Sequence, residues 1–246
     1  KLSDGSNSLS SSQTLTTVSD GAAPAMLSAS TADDDNDGTV DHIDVTMSES
    51  LSDDDSTFDD TVFSTNDQDA SLGAASTDDS ADDNQVDVVV NNAPAGDTSF
   101  TLTDLTLASD VLSDGSNSLS SSQTLNTVSD GADAQVLTAE VTDTLPSSTV
   151  ELRFSEDVGT SSDGTGDITS TDLSYADGTV EDTEESFGTD DVADGDNIIT
   201  ITVSTGDVSS GDVTGDDAIS IDSTLYSAGA DGSTISTQDV DIENNE

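Results

Sequence analysis

The chain reads as an all-β protein, and three observations carry that reading. No window places apolar residues at helical spacing. Short segments in which apolar and polar residues alternate recur along the chain, separated by turns of Ser, Thr, Asp and Gly. A 21-residue segment also occurs twice, at 2–22 and 112–132, with Thr16 replaced by Asn126 as the single difference. Behind each copy begins a body that aligns with the other.

The first predicted strand is Met26 to Ala29, matched by Val136 to Ala139, with Leu and Ala expected inward. Ile43, Val45 and Met47 follow and match Val150, Leu152 and Phe154, alternating as a half-buried strand does. Both of these strands end in Ser-Glu, at Ser48-Glu49 and Ser155-Glu156. Val86, Val88 and Val90 match Ile199, Ile201 and Val203, each set preceded by Asp-Asn. Leu105 and Leu107 pair with Ile219 and Ile221. A closing strand comes last, with Gln123, Leu125 and Thr127 against Gln238, Val240 and Ile242. Gln13, Leu15 and Thr17 form a third such set at the start of the chain.

Bodies of roughly 110 residues with several short alternating strands suit an immunoglobulin-like β-sandwich. The expected organisation is two tandem immunoglobulin-like domains, at 23–132 and 133–246, preceded by an extra β-strand within 1–22. That leading segment is a closing strand with no body in front of it.

Composition narrows the function. The chain carries 54 acidic residues against two basic ones, Lys1 and Arg153, for a formal net charge of −52. Such charge opposes a compact state by self-repulsion and suits either a disordered chain or a fold whose solvent is brine. At molar salt the Debye length falls to roughly 3 Å, and surface carboxylates barely repel. The Asp residues sit in turns between alternating apolar segments, whereas solvating tails carry long like-charge blocks. A halophilic folded protein is the better match.

Nucleic acid is disfavoured as a partner, because phosphate binding needs Lys and Arg that this chain lacks. No apolar run approaches the roughly 20 residues of a membrane span, and no signal peptide is recognisable. If secreted, the chain is expected to be the mature form. Cys is absent, which removes disulfides and thiolate metal sites. No Asn-x-Ser/Thr sequon occurs, while the many Ser and Thr leave O-linked sugar open.

The run STVELRFSEDV at 148–158 resembles the Phe-Ser-Glu-x-Val strand ending of bacterial and archaeal immunoglobulin-like surface modules. DNDGTVDHIDVTMSE at 35–49 is similar to the version in haloarchaeal surface proteins, with Met47 in place of Phe. The resemblance covers the first halves of both bodies. It implies tandem, extracellular, mechanically passive modules of cell-surface, S-layer or filament proteins.

The clearest chemical motif is Asp33, Asp35, Asp37, Gly38, Val40, Asp41 and Asp44, which reproduces the spacing of a calcium loop. Ca²⁺ takes six to eight oxygens, supplied by alternate side chains and one backbone carbonyl, and the Gly permits the sharp bend. Thr39 is the expected carbonyl donor. Asp44 stands where a bidentate Glu is usual, and the loop leads into a strand, so this is EF-hand-like without being an EF-hand. Asp-Gly turns abound in so acidic a chain, and one chance match is unsurprising. Against that, the equivalent loop of the second body, 142–148, is shorter and nearly stripped of acid.

Other acid runs, at 53–55 and at 78–79 with 82–83, read as solvated loop surface. Glu49 and Glu156 read as hydrogen-bond partners of neighbouring turns. His42 is expected to face solvent. Catalysis is not expected: a Ser-His pair would have to use this single His among acids. Carboxylate pairs occur everywhere and therefore indicate nothing. There is no Trp to form a sugar platform and no Gly-rich phosphate loop ending in Lys.

The surplus closing strand has three explanations: the tail of an upstream module in a longer array, a recent duplication serving as linker, or a donor strand for the next subunit. Head-to-tail donation does not close on itself and yields a filament. Leu9, Gln13, Leu15, Thr17 and Val18 would form that interface. The expectation is a structural subunit of an extracellular, pilus-like filament of a halophilic, archaeal microbe, a homopolymer with calcium as the candidate ion. The alternatives are a fragment of a multi-module S-layer or adhesin protein, and a halovirus fibre or non-catalytic module of a secreted hydrolase.

Overall fold

A computed structural model describes residues 21–51, 57–58, 60–68, 70–76, 84–144, 147–161, 168, 173–176, 187–189, 196–203, 218–221, 225–227, 235, 238–241 and 243–244. The leading segment, with Leu9, Gln13, Leu15, Thr17 and Val18, and the acid runs at 53–55 and 78–83 lie outside them. Among the described residues the chain is all-β, with no helix and therefore none long and apolar enough to cross a membrane.

Eight strands lie in the first half: β1 (Met26–Ala32), β2 (His42–Met47), β3 (Thr57–Phe58), β4 (Phe63–Ser64), β5 (Leu72–Ser76), β6 (Gln85–Val90), β7 (Leu105–Leu107) and β8 (Gln123–Leu125). The second half contributes β9 (Val136–Thr144), β10 (Ser147–Gly159), β11 (Leu173–Ala176), β12 (Phe187–Thr189), β13 (Asp196–Val203), β14 (Ala218–Ile221), β15 (Tyr226–Ser227), β16 (Gln238–Asp241) and β17 (Glu243–Asn244).

The same order of pairing occurs twice. The order β1-β2-β6-β5 of one sheet recurs as β9-β10-β13-β12 in another; β3 extends the first beside β5, while β17 beside β9 and β15 beside β10 extend the second to six strands, and the smaller sheets are β4-β7-β8 and β11-β14-β16. Registers agree residue for residue with the sequence alignment. Ala29 faces Val45 and Ile43 faces Val88, as Ala139 faces Leu152 and Val150 faces Ile201. Leu105 faces Leu125, as Ile219 faces Val240. Period-two alternation fixes this pairing, since a slip of one residue would turn each apolar set to the wrong face.

In the first half both sheets share one core. Ile43, Val45, Met47, Val86 and Val88 of the large sheet pack with Phe63, Leu105 and Leu107 of the small one. The second copy of the repeat closes this core: Leu112, Val128 and Ala132 are buried, with Leu119 and Leu125 packed against them. Gln123 ties the two sheets together, accepting from Met26 N at 2.7 Å and donating to Met26 O at 2.9 Å. Beyond β8 the chain crosses to β1 and runs parallel to it, with Ser129 N donating to Ala29 O and Thr31 N to Ser129 O. β17 runs parallel to β9 in the same way.

The Ser-Glu endings have a common local cause. Ser48 exchanges backbone and side-chain bonds with Ala25, the Ser48 Oγ accepting from Ala25 N at 3.0 Å and Ser48 N donating to Ala25 O at 2.8 Å. Ser155 makes the same two bonds with Gln135, at 2.8 and 2.9 Å. Each serine thus pins the start of the first strand to the end of the second.

Two expectations need correction. Leu27 points outward and is 62% exposed, because the β1–β2 register shifts between Met26 and Ser28 and reverses its parity. His42 is buried together with its neighbour Ile43, because the preceding loop folds over the imidazole.

Candidate functional site

The acidic loop between β1 and β2 is built by two left-handed residues, Asn36 at φ 58° and Gly38 at φ 83°. Asn tolerates this region and Gly has no Cβ to clash, so the spacing of the motif is also a folding instruction. The turn draws in its own backbone donors. Asp33 accepts from Gly38 N at 2.9 Å and from Asp37 N at 3.3 Å, and Asp35 accepts from Asp37 N at 3.2 Å. Asp41 closes the loop from its far side, accepting from Asp34 N at 3.1 Å and Asp35 N at 3.5 Å.

This folding brings Asp33, Asp35 and Asp37 together, with one carboxylate oxygen of each within 4.8 Å of the others. Burial raises the Asp33 pKa, the Gly38 and Asp37 amides lower it, and the Asp41 and Asp37 charges raise it again. An all-oxygen set of clustered carboxylates fits a hard cation such as Ca²⁺. Thr39 lies at the exit of the loop, its hydroxyl accepting from Gly96 N at 3.3 Å.

Asp44 does not join this group. It lies on β2, where its carboxylate accepts from His42 Nε2 at 2.9 Å, and it clusters with His42 and Asp87. His42 Nδ1 lies 3.5 Å from Asp34, so the imidazole links the loop to the sheet. The hydrogen bond to Asp44 raises the His42 pKa, burial opposes it, and the charges of Asp44, Asp34 and Asp87 raise it further. The difference between strand and helix accounts for Asp44. A strand advances about 3.3 Å per residue in a nearly straight line, which carries the last motif position away from the first.

The loop also makes a contact that spacing alone does not reveal: it packs against the second half. Asn36 Oδ1 accepts from Gln135 Nε2 at 3.2 Å. Gly38 and Gly96 both press on Leu137; a Cβ on them would come within 2.5 Å and 2.9 Å of its methyl carbons. Thr98 and Ser155 share a buried hydroxyl hydrogen bond at 2.7 Å across the same boundary. The acidic loop is therefore both a candidate ion site and a wall of the junction between the halves. No local sequence pattern joins Gly38 to Leu137; only the tertiary fold brings them together. No family model, curated protein or solved structure matches the chain.

Proposed function

We propose that the chain is a non-catalytic structural protein made of two tandem immunoglobulin-like β-sandwich modules, at 23–132 and 133–246. It works outside the cell, as a filament subunit of a halophilic microbe. The observation that carries this reading is the role of the second repeat copy, whose Leu112, Leu119, Leu125 and Val128 fill the first core while Gln123 binds Met26. The leading copy holds the same side chains at Leu2, Leu9, Leu15, Val18 and Gln13. A segment with those side chains suits the closing position of a sandwich, and a neighbouring subunit supplies one by strand exchange. Backbone pairing and the apolar anchors then make the contact.

Ca²⁺ bound at Asp33, Asp35 and Asp37, with Thr39 and Asp41 completing the loop, stiffens the joint on which that loop rests. Binding to the folded state alone stabilises it by mass action. Surplus acid keeps the subunit soluble in brine and turns away anionic partners.

A second reading is favoured by the same observation. A closing segment copied from 112–132 also suits an upstream module of the same polypeptide, as in a long S-layer or adhesin array. Electron micrographs of the purified chain in brine separate the two. Fibres made by this chain alone support the filament. Dispersed two-bead particles, together with further modules encoded upstream, support the array and overturn the filament.

A further inference from the structure

The outer face of the sheet in the first half carries the chain's single histidine beside two carboxylates. His42 and Asp44 stand two residues apart on β2, and Asp87 lies directly opposite Asp44 on β6. Alternation turns Asp44 and Asp87 away from the core, because their strand neighbours Ile43, Val45, Val86 and Val88 are buried in it. One ligand atom from each of the three residues, an imidazole nitrogen and two carboxylate oxygens, lies within 4.8 Å of the others.

Like charges set directly opposite each other weaken a ladder. The chain has little to set against them: Lys1 lies outside the described residues, and Arg153 is on β10 in the second half. An imidazolium answers in part. It has two N–H groups, and here Nε2 meets Asp44 at 2.9 Å while Nδ1 lies 3.5 Å from Asp34 in the acidic loop. A metal ion in place of the Nε2 proton goes further, since it draws Nε2, Asp44 and Asp87 to one point and leaves Nδ1 its proton for Asp34. Metal-binding imidazoles are held in this manner, with the second ring nitrogen donating to a carboxylate that fixes tautomer and ring plane.

The distances suit such an ion. With bonds of about 2.0–2.2 Å at a tetrahedral centre, nitrogen and oxygen ligands stand about 3.4 Å apart. The contact between His42 and Asp44 therefore has to open by only about 0.5 Å. His42 is 9% exposed, so loop and sheet preset its ring, while the half-buried Asp44 and Asp87 keep an edge toward solvent.

We propose that His42, Asp44 and Asp87 form a site for a borderline divalent cation such as Zn²⁺, which staples β2 to β6. The imidazole nitrogen favours Zn²⁺ here, whereas the all-oxygen set at Asp33, Asp35 and Asp37 favours Ca²⁺. Two adjoining sites thus take different ions. The zinc site depends neither on polymerisation nor on calcium in the loop.

The test is titration of Zn²⁺ into the full chain in molar KCl, with excess Ca²⁺ present to compete for the acidic loop and for scattered surface acids. Proton nuclear magnetic resonance follows the imidazole, whose signals belong to one residue because the chain has one His. In wild type they should move to a saturated position at one equivalent of Zn²⁺. Asp87→Asn leaves the His42 contacts with Asp44 and Asp34 in place and should weaken Zn²⁺ at least about tenfold, as should Asp44→Asn. Asp35→Asn should bind Zn²⁺ as wild type does, which separates this site from the loop. Circular dichroism verifies that each variant folds. Imidazole signals that ignore Zn²⁺, or that respond equally in Asp87→Asn, would overturn the proposal and leave His42 as an imidazolium bridge. Should Asp87→Asn fail to fold, undiminished affinity in Asp44→Asn overturns it instead.

Discussion

Leu27 and Leu137 occupy the same place in the two halves, yet one lies 62% exposed and the other packs against Gly38 and Gly96. The difference lies in what stands in front of each strand. Leu137 has the first half's loops before it, and Leu27 has nothing among the described residues. In the proposed assembly the end of a neighbouring module covers Leu27 as Gly38 and Gly96 cover Leu137. The loop between β1 and β2 repeats the lesson, since it lies at the joint and carries the acids, whereas the sequence at 142–148 is nearly stripped of them.

The largest effect acts on both halves together. Dilution from molar salt to about 0.1 M lengthens the Debye length to about 10 Å and exposes the charge of −52 to itself. Far-ultraviolet circular dichroism should show loss of the β signal, and an unchanged spectrum would end the halophilic reading.

Next comes the leucine pair itself. Leu137→Ala should cost about 1–2 kcal/mol, less than the value for a fully buried Leu because the side chain is half-buried. Leu27→Ala should stay within about 0.5 kcal/mol in the isolated chain. Equal losses in chemical denaturation would break the comparison. Gly38→Ala sharpens it, since a left-handed Ala costs about 1–3 kcal/mol and crowds Leu137. Its melting temperature should fall with wild-type Ca²⁺ present.

Removing Ca²⁺ at constant high salt should lower the melting temperature of the full chain. At a hundredfold excess over Kd the stabilisation lost is about 2.7 kcal/mol per site. An unchanged melting point would discard calcium from the account. The smallest effect is the pH dependence at the joint. Glu156 has a folded pKa raised above its unfolded value, so its contribution is fully present below about pH 4.5 and is lost as pH rises through about 7. Burial is the main cause of that window; the Ser227 and Thr98 hydrogen bonds oppose the rise, and the Asp130 and Asp133 charges add to it. Without Ca²⁺, wild type should lose stability relative to Glu156→Gln over this range. Parallel curves would show that Glu156 carries no such penalty.

Much of the fold was legible because the strands repeat. Ile43, Val45 and Met47 could be laid on Val150, Leu152 and Phe154 by alternation alone, and the observed ladders follow that alignment. Gln123 and Gln238 were aligned on sequence, and Gln123 proves to bridge β8 and β1. What escaped was tertiary. A register shift at the start of β1 turned Leu27 outward, and a loop laid over His42 buried it against its strand parity. Asp33, Asp35 and Asp37 could be grouped from spacing because one tight turn holds all three, whereas Asp44 had already entered a strand. Glu156 lies buried within β10 and accepts from Ser227, which lies far away in sequence, and no local pattern encodes that meeting.

The claim that matters most is that the opening 22 residues complete a sandwich belonging to another copy. Sedimentation velocity of the full chain and of a chain lacking residues 1–22, both in molar KCl with Ca²⁺, tests it directly. The account predicts polymers that grow with concentration for the full chain and a single monomer boundary for the shortened one. The same boundary for both proteins would contradict it.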